Sequence, residues 1–250
     1  MDSVVSKAGG HVQVVLREPR SSRPARLASV VVEELGHQII GGTLPEGSVL
    51  PTEPVLGDEF GFSRTVIREG LKLLEERGLV RVEQGRGTTV QPRDSWNLLD
   101  PVVIRIALAY DGDVSLLDNL IAVRRVLERE MARAAATRLT DDDLAALEAN
   151  LEEAEASYDD YHRFRDVDLG FHAIVMKASG NEVGRAIVRT IHTHAGATPR
   201  LSEARPRAEL ERTVTEHRAI YEALASRDGE AAASRIAAHI DFAWADRKRG

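Results

Sequence analysis

The chain has 250 residues, a formal net charge of −7 at neutral pH, 43% hydrophobic residues and no cysteine. This length accommodates one large domain or two of ordinary size, with enough apolar residues for real cores. The absence of cysteine excludes disulfides and thiolate metal sites, and the net negative charge argues against indiscriminate nucleic-acid binding. No apolar run approaches the thickness of a bilayer and no signal core stands at the N-terminus, so the sequence predicts a soluble, cytoplasmic protein without a membrane partner.

Residues 1–24 show no sustained hydrophobic period and include a Gly-Gly pair and two prolines, which is typical of a flexible arm. From 25 to 41, apolar residues recur at helical spacing and predict a first helix. A turn at 43–47 then leads to a second, short helix at 52–60, with Thr52 as its N-cap and Gly61 as the tight turn that follows it. This order brings a third helix directly after the second.

The stretch GFSRTVIREGLKLLEE, residues 61–76, predicts an amphipathic helix with Ser63 as its N-cap. Its polar face carries four candidate DNA contacts: Arg64, Thr65, Arg68 and Lys72. A helix laid into the major groove presents its first turn to the base edges, and Arg68 lies one turn beyond Arg64. From this segment alone, an ordinary amphipathic helix with a basic solvent face is the alternative.

The residues after this helix predict a β-hairpin. Residues 79–83 alternate like a strand, 84–87 form a glycine-rich turn and 88–90 return as a second strand. Arg86, at the tip, is placed to enter a minor groove, although a tight hairpin requires glycines such as Gly85 for its own geometry. Between residues 61 and 93, seven basic and four acidic side chains give a local charge of +3. Helix, turn, helix and hairpin in this order indicate a winged helix.

The stretch GTLPEGSVLPTEPVLGDEFGFSRTVIREGLKLLEERGLVRVEQGRGTTV resembles, almost end to end, the DNA-binding domain of the GntR superfamily of bacterial transcription regulators. The resemblance implies a winged helix-turn-helix domain at residues 25–92. It also implies base or phosphate contacts by five residues: Ser63, Arg64, Thr65, Arg68 and Gly85. Double-stranded, near-palindromic operator DNA is the implied partner, bound by a homodimer whose two reading helices meet two half-sites.

Residues 93–100 are predicted to be a linker, and residues 101–250 show helical periodicity throughout with no convincing strand. The predicted helices are 101–110, 114–138, 141–157, 158–179, 182–193, 208–227 and 229–247. They are separated by polar turns with caps or stops at 111–113, 140, 180–181, 199–206 and 228–229. The predicted fold class is therefore mainly α: an N-terminal winged helix-turn-helix with a small β-hairpin wing, and a C-terminal all-α helical bundle large enough to enclose a pocket.

Four polar residues of the bundle stand on helix faces that are otherwise apolar: Asp168, His172, His217 and His239. Burying one carboxylate and three imidazoles is costly unless they satisfy one another, and a divalent cation would satisfy all four. Zn²⁺ is favoured, and Ni²⁺, Mn²⁺ or Fe²⁺ also suit this donor set. A hydrogen-bonded core histidine is the usual explanation for any one of them, but Asp168 and His172 at chelating distance on one helix favour a metal site.

Five segments of the bundle resemble the FCD ligand-binding domain of the FadR branch of this superfamily: VRRVLERE, DLGFH, SGN, EHRAIYEAL and AAHI. The resemblance implies that the four polar residues hold a metal and that Arg124 binds an effector carboxylate. Asn181, in the SGN segment, and His194 are further candidates for the effector pocket. Because Arg124 lies on an apolar stripe, a snorkelling side chain paired with a neighbouring glutamate is the alternative.

The two resemblances imply a DNA-binding transcription regulator, a repressor rather than an activator, controlled by a small carboxylate effector. SWNLLDPVVIRIAL, residues 95–108, resembles the linker and first helix of sugar-acid regulators in this family, such as those for galactonate or gluconate, which implies an aldonate. Lactate-like or citrate-like acids with a structural metal are the alternative. A metal-dependent enzyme is a different class, but the chain has no His-Glu-x-x-His, no Gly-x-Ser-x-Gly and no phosphate-binding glycine loop, so it is predicted not to be an enzyme.

Overall fold

The computed structural model of the chain describes residues 22–110, 114–196, 198 and 202–249. The predicted arm at 1–24 falls on residues that lie almost wholly outside this described part. The predicted break at 111–113 and residues 199–201 of the one at 199–206 also lie outside it. The described residues form a winged helix-turn-helix followed by a helical bundle, which confirms the predicted fold class.

Residues 22–90 form three helices and one antiparallel hairpin: α1 Ser22–Ile40, α2 Glu53–Phe60, α3 Arg64–Glu76, β1 Val80–Glu83 and β2 Gly87–Val90. In the hairpin, Val80 pairs with Val90 and Glu83 with Gly87, so Gly87 belongs to a strand rather than to the turn. The sequence does not predict a further antiparallel bridge, between Val49 and Thr89 of β2. Backbone hydrogen bonds on both sides of this bridge connect the segment before α2 to the hairpin.

The packing of α1 against α3 turns the polar face of α3 to solvent. Ile67, Leu71 and Leu74 on the opposite face are buried in the N-terminal core. The two helices approach closely because residue 70 is glycine: a Cβ there would lie 2.7 Å from a methyl carbon of Val31. The face that carries the candidate DNA contacts therefore points away from the protein.

The predicted linker is packed against the winged domain. It contains a short 3₁₀ turn, Arg93–Ser95, and ends at Asp100, whose carboxylate caps the next helix, α4 Pro101–Ala109. The same carboxylate accepts a hydrogen bond from Arg77 Nε at 3.1 Å, at the end of α3. A half-buried ion pair thus joins the end of α3 to α4.

Helix α4 lies between the two cores of the molecule. Val103 is buried in the N-terminal core, and its neighbour Ile104 is buried in the core of the bundle. The helix packs against α1 on one side and against a helix of the bundle, Glu182–Ala195, on the other. A displacement of the bundle can therefore reach the winged domain through α4.

Within the described residues the bundle contains six further long helices: α5 Ser115–Ala136, α6 Asp141–Glu155, α7 Tyr161–Ala178, α8 Glu182–Ala195, α9 Arg207–Ala225 and α10 Gly229–Arg249. α5 packs against α7, α8, α9 and α10. Their bounds agree with the sequence prediction to within a few residues. The largest difference is at α7, which begins three residues later than predicted because Asp160 accepts a hydrogen bond from Arg163 N and caps the helix. Among the described helices, none combines the length and apolar character that a membrane span needs.

Candidate functional site

Three helices of the bundle bring Asp168, His172, His217 and His239 into one cluster. Asp168 and His172 lie one turn apart on α7, His217 lies on α9 and His239 on α10. One ligand atom from each residue lies within 4.8 Å of all the others. His217 Nε2 is 3.3 Å from His239 Nε2 and 3.6 Å from Asp168 Oδ1. The structure therefore brings together all four residues that the sequence predicts as metal ligands.

Local packing turns these side chains inward. Phe164, Phe171 and Val175 are buried on one stripe of α7, and this anchors the helix with Asp168 and His172 toward the bundle interior. The ring of Phe171 stacks on that of His217, with centroids 4.1 Å apart and planes inclined by 10°. The cluster is thus positioned by core contacts that do not depend on its polar atoms.

Two carboxylates contact the Nδ1 atoms of His172 and His239. Glu128 Oε2 on α5 lies 2.5 Å from His172 Nδ1, and Glu216 Oε2 on α9 lies 2.7 Å from His239 Nδ1. A carboxylate accepts hydrogen bonds, so each Nδ1 carries the proton and each Nε2 offers its lone pair to the cluster. Carboxylates in this position orient imidazole ligands and raise their basicity.

The protonation states of the cluster suit metal binding. Burial lowers the pKa of His239 to about 3 and holds the pKa of His217 well below its usual value, because desolvation disfavours the charged ring. Burial opposes ionisation of Asp168, but the imidazoles and the Arg124 guanidinium outweigh it and lower the pKa of this carboxyl to about 2. Neutral imidazoles and an ionised carboxylate are the forms that bind a cation.

Two features of the cluster fit a divalent cation. Asp168 Oδ1 is buried and has no hydrogen-bond partner in the described part of the chain, which ordinarily costs about 1–3 kcal/mol, or more for a charged group. In addition, Nε2 of His239, whose Nδ1 holds the proton, lies close to Nε2 of His217. A cation between these atoms would give all of them a partner, and the donor set suits Zn²⁺, Ni²⁺, Mn²⁺ or Fe²⁺.

A cavity of about 360 Å³ adjoins the cluster and shares Asp168 with it. This volume falls in the range of small-molecule sites, about 300–1,000 Å³. Among the described residues, the charged lining consists of one carboxylate and four guanidinium groups: Asp168, Arg124, Arg165, Arg205 and Arg247. The excess of positive charge suits an anionic ligand.

The position of Arg124 is compatible with both interpretations of the sequence, an effector contact and a partner of a neighbouring glutamate. It lines the cavity, and its Nη2 lies 3.3 Å from His172 Nε2. Its Nε donates to Glu128 Oε1 at 2.5 Å, so it is also paired with a glutamate of its own helix. The side chain is only 16% exposed. Arg124 is therefore both a wall of the cavity and a contact of the cluster.

The other two predicted effector residues are not brought to the cavity. Asn181 caps α8, where its Oδ1 accepts a hydrogen bond from Gly184 N at 2.9 Å. His194 is not among the lining residues, whereas His192 is. Side chains two residues apart on a helix point in nearly opposite directions, which explains why His192 lines the cavity and His194 does not. His192 Nε2 lies 3.2 Å from Glu128 Oε1, and burial lowers the pKa of His192 to about 4.

The solvent face of α3 carries the predicted DNA contacts, all exposed: Arg64, Thr65, Arg68 and Lys72. Ser63 caps the helix by accepting a hydrogen bond from Val66 N, as predicted. Gly85 and Arg86 lie exposed at the tip of the wing. The φ of Gly85 is +80°, so the turn itself requires glycine at this position.

Arg68 is held by Glu53, a residue of α2 that the sequence does not single out. Arg68 Nη2 and Nε lie 2.9 Å and 3.2 Å from the two carboxylate oxygens of Glu53. The paired geometry fixes the plane of the guanidinium, although the side chain stays largely exposed. Glu53 thus orients Arg68 on the face that α3 turns to solvent.

Two family models match the chain. That of the gntR family of bacterial regulatory proteins matches residues 27–90, and that of the FCD domain matches residues 119–242. The galactonate operon transcriptional repressor of Escherichia coli (strain K12) is 35% identical over 202 residues, which cover 81% of this chain and 88% of the repressor. The chain belongs to the GntR family.

Other relatives of this GntR protein are also regulators. The Glc operon transcriptional activator of Escherichia coli (strain K12) is 32% identical over 162 residues, 63% of this chain and 62% of the activator. The structure of Lar, which controls the Listeria monocytogenes agr system, shares the fold with a TM-score of 0.57 and 21% identity, over 89% of this chain and 97% of Lar. The gntR family match and the similarity to the two operon regulators confirm the prediction that this GntR protein is a DNA-binding transcription regulator and not an enzyme.

Several residues that line the cavity or contact the cluster of the FCD domain are not among those predicted from the sequence. Glu128 lies four residues after Arg124 on the same helix stripe, and Arg165 lies three before Asp168, so helical spacing could have indicated both. Glu216 directly precedes His217, but neighbours on a helix do not face each other, and its contact with His239 depends on how α9 packs on α10. Arg205 precedes α9, where no periodicity shows which way a side chain points.

Proposed function

We propose that this GntR regulator is a repressor whose operator binding is controlled by a small carboxylate effector, with a sugar acid such as galactonate or gluconate preferred. The effector binds in the cavity of the helical domain, beside a divalent metal held by Asp168, His172, His217 and His239. The observation that carries this proposal is the cationic cavity, because it shares Asp168 with the ligand cluster and has Arg124 in its wall.

Each group of the cavity has a separate role in this proposal. The metal, when bound, supplies a Lewis-acidic position that attracts a carboxylate. Arg124 pairs with the same carboxylate through its guanidinium, which Glu128 holds in place. Asp168 balances part of the positive charge and favours hydroxyl groups of the ligand near it, because it accepts hydrogen bonds.

The relatives support this choice of effector and of regulatory sign. A protein named as the galactonate operon repressor is 35% identical to this chain. A protein named as the Glc operon activator is 32% identical over a shorter stretch, so a reporter assay is needed to test repression directly. A homodimer binding two half-sites of a near-palindromic operator completes the proposal.

The path from the cavity to DNA runs through α8 and α4. His192 on α8 contacts Glu128 at the cluster, α8 packs against α4, and α4 packs against α1 of the winged domain. An effector that binds one arrangement of these helices more tightly than another shifts the DNA-binding equilibrium by the difference, typically about 1–3 kcal/mol.

The test uses the full-length, metal-loaded protein and an operator selected from a random DNA library. Fluorescence anisotropy follows release of the operator on addition of galactonate, gluconate, lactate, citrate or uncharged galactose. Thermal melts of the same mixtures report binding directly, since a ligand at about a hundred times its Kd adds about 2.7 kcal/mol of stability. We expect a sugar acid to release the operator and raise the melting midpoint, and galactose to do neither.

Two variants assign the effect to the cavity. Arg124→Gln should lose the response. Arg125→Gln should keep it, because Arg125 is a partly exposed neighbour paired with Asp241. His217→Ala should lose both bound metal, measured by elemental analysis, and the effector response. A response to lactate or citrate alone would favour the alternative effectors. No shift with any acid, in DNA binding or in melting, would contradict effector control through this cavity.

A further inference from the structure

The cavity extends well beyond the ligand cluster. Along α7, Arg165 lies three residues before Asp168, and Tyr161 lies seven before it, which correspond to about 4.5 Å and 10 Å of helix rise. Along α10, Arg247 lies eight residues beyond His239, about 12 Å of rise. Arg247 donates a hydrogen bond to Tyr161 Oη, so the two helix walls meet at this far end. A ligand anchored at the metal end therefore reaches a second set of charged side chains.

Arg205 is the most buried of these far charges. Its side chain is only 10% exposed, its Nε donates to Glu209 Oε2 at 3.0 Å, and its Nη1 donates to Thr213 Oγ1 at 3.4 Å. Its third nitrogen, Nη2, is buried and has no hydrogen-bond partner among the described residues. A buried donor of a charged group without a partner is costly, and a ligand acceptor at this place would remove the cost.

Arg165 adds a second incompletely satisfied guanidinium to the same cavity. Its Nη1 donates to the Gly196 carbonyl at 3.3 Å, while its Nε is buried without a hydrogen-bond partner in the described part of the chain. No carboxylate of the described residues forms an ion pair with it. Arg247, by contrast, is engaged by Tyr161 Oη and the Glu203 carbonyl. Arg165 therefore has no carboxylate partner among the described residues, and Arg205, although paired with Glu209, keeps one buried nitrogen without an acceptor.

We infer that the effector is a dianion with an anionic group at each end. One carboxylate lies at Arg124 and the ligand cluster, and a second group, a carboxylate or a phosphate, binds Arg165 and Arg205. The matching class of compound is a sugar acid with two anionic ends, either an aldarate or a phosphorylated aldonate. This inference rests on the proposed function and narrows its sugar-acid effector from a simple aldonate to one with a second anionic group. The neutral hydroxyl end of a simple aldonate would leave the Arg165 guanidinium without an anionic partner.

The test compares matched ligands on the full-length, metal-loaded protein by isothermal titration calorimetry. Galactarate is compared with galactonate, and phosphogluconate with gluconate, so that each pair differs in one anionic group. In the wild type we expect one of the dianions to bind at least about tenfold more tightly than its monoanionic partner. The reason is that one additional charge-assisted hydrogen bond contributes enough free energy for a factor of this size. The dianion that binds better identifies the second group as carboxylate or phosphate.

Substitutions of the two arginines test whether they bind the second anionic group of the ligand. Arg205→Gln and, separately, Arg165→Gln should reduce dianion affinity about tenfold or more and leave monoanion affinity unchanged. Arg207→Gln and Arg163→Gln are matched controls, because both arginines lie two residues away, are exposed and pair with surface carboxylates. If Arg205→Gln does not fold, Arg165→Gln decides the outcome by itself.

The outcomes separate this inference from the proposed function. Equal affinity for monoanion and dianion, or equal losses of both in the variants, would overturn the dianion assignment while leaving a carboxylate effector in place. No binding of any of the four acids would overturn the inference together with the proposed effector. A dianion preference that disappears in Arg165→Gln and persists in Arg163→Gln supports the assignment.

Discussion

Replacing Glu128 by glutamine should disturb the ligand cluster and the cavity together. The Glu128 carboxylate is fully buried and lies 2.5 Å from Arg124 Nε, 2.5 Å from His172 Nδ1 and 3.2 Å from His192 Nε2. Burial opposes its ionisation, but Arg124 and His172 outweigh burial and hold the pKa of this carboxyl well below its usual value. The substitution keeps the shape of the side chain and removes its charge.

The expected effect of Glu128→Gln has two parts, a loss of stability and a loss of zinc affinity. Removing one partner of a buried ion pair leaves the Arg124 guanidinium uncompensated, which destabilises a protein by about 3–5 kcal/mol. At about 2–4 °C per kcal/mol, the melting midpoint of the metal-free protein should fall by about 6–20 °C. In addition, an amide nitrogen facing His172 Nδ1 would donate to it and move the ring proton to Nε2, so zinc affinity should fall about 10- to 100-fold.

Circular dichroism melts of the metal-free protein and competition with a fluorescent zinc chelator measure the two parts. Glu130→Gln is the matched control, because Glu130 lies two residues further on α5, is exposed and pairs with Arg133 on the surface. A Glu128→Gln protein with the midpoint and zinc affinity of the Glu130→Gln control would refute the reasoning that this carboxylate orients His172 and compensates Arg124.

Three further predictions follow from other contacts. Arg68→Ala should lose about 1–3 kcal/mol of operator discrimination in an anisotropy competition assay, while the remote Arg207→Ala should not; equal losses would remove Arg68 from base reading. Gly70→Ala should lower the urea midpoint by an amount equivalent to about 1–3 kcal/mol, because the new methyl group overlaps Val31; an unchanged midpoint would contradict the close approach of α1 and α3. His239 has a folded pKa of about 3, below its ordinary value, so the unfolded chain binds more protons at acid pH. The metal-free protein should therefore be most stable above about pH 6.5 and lose stability as the pH falls from about 6.5 toward 3. A melting midpoint that stays flat between these pH values would contradict burial of the neutral ring.

The sequence by itself determined the features that depend on local spacing. Helical period places Ile67, Leu71 and Leu74 on one face of α3, and this alone predicts that the basic residues face solvent. The four predicted ligands are recognisable because buried polar residues on apolar stripes require partners in any packing, and one carboxylate with three imidazoles can share a cation. Helix ends are equally local, as Ser63 and Thr140 show by capping the helices that follow them.

Tertiary structure alone decided which side chains meet between helices. The choice of His192 rather than His194 as a cavity wall depends on the rotation of α8 about its axis, which is set by packing against α4 and α5. The contact of Glu216 with His239 depends on the crossing of α9 and α10, and the burial of Arg205 depends on the path of a segment without regular structure. A one-dimensional pattern contains the period of each helix but not the angle at which two helices cross. The metal-ligand cluster was therefore predictable, whereas the burial of Arg205 in the same cavity was not.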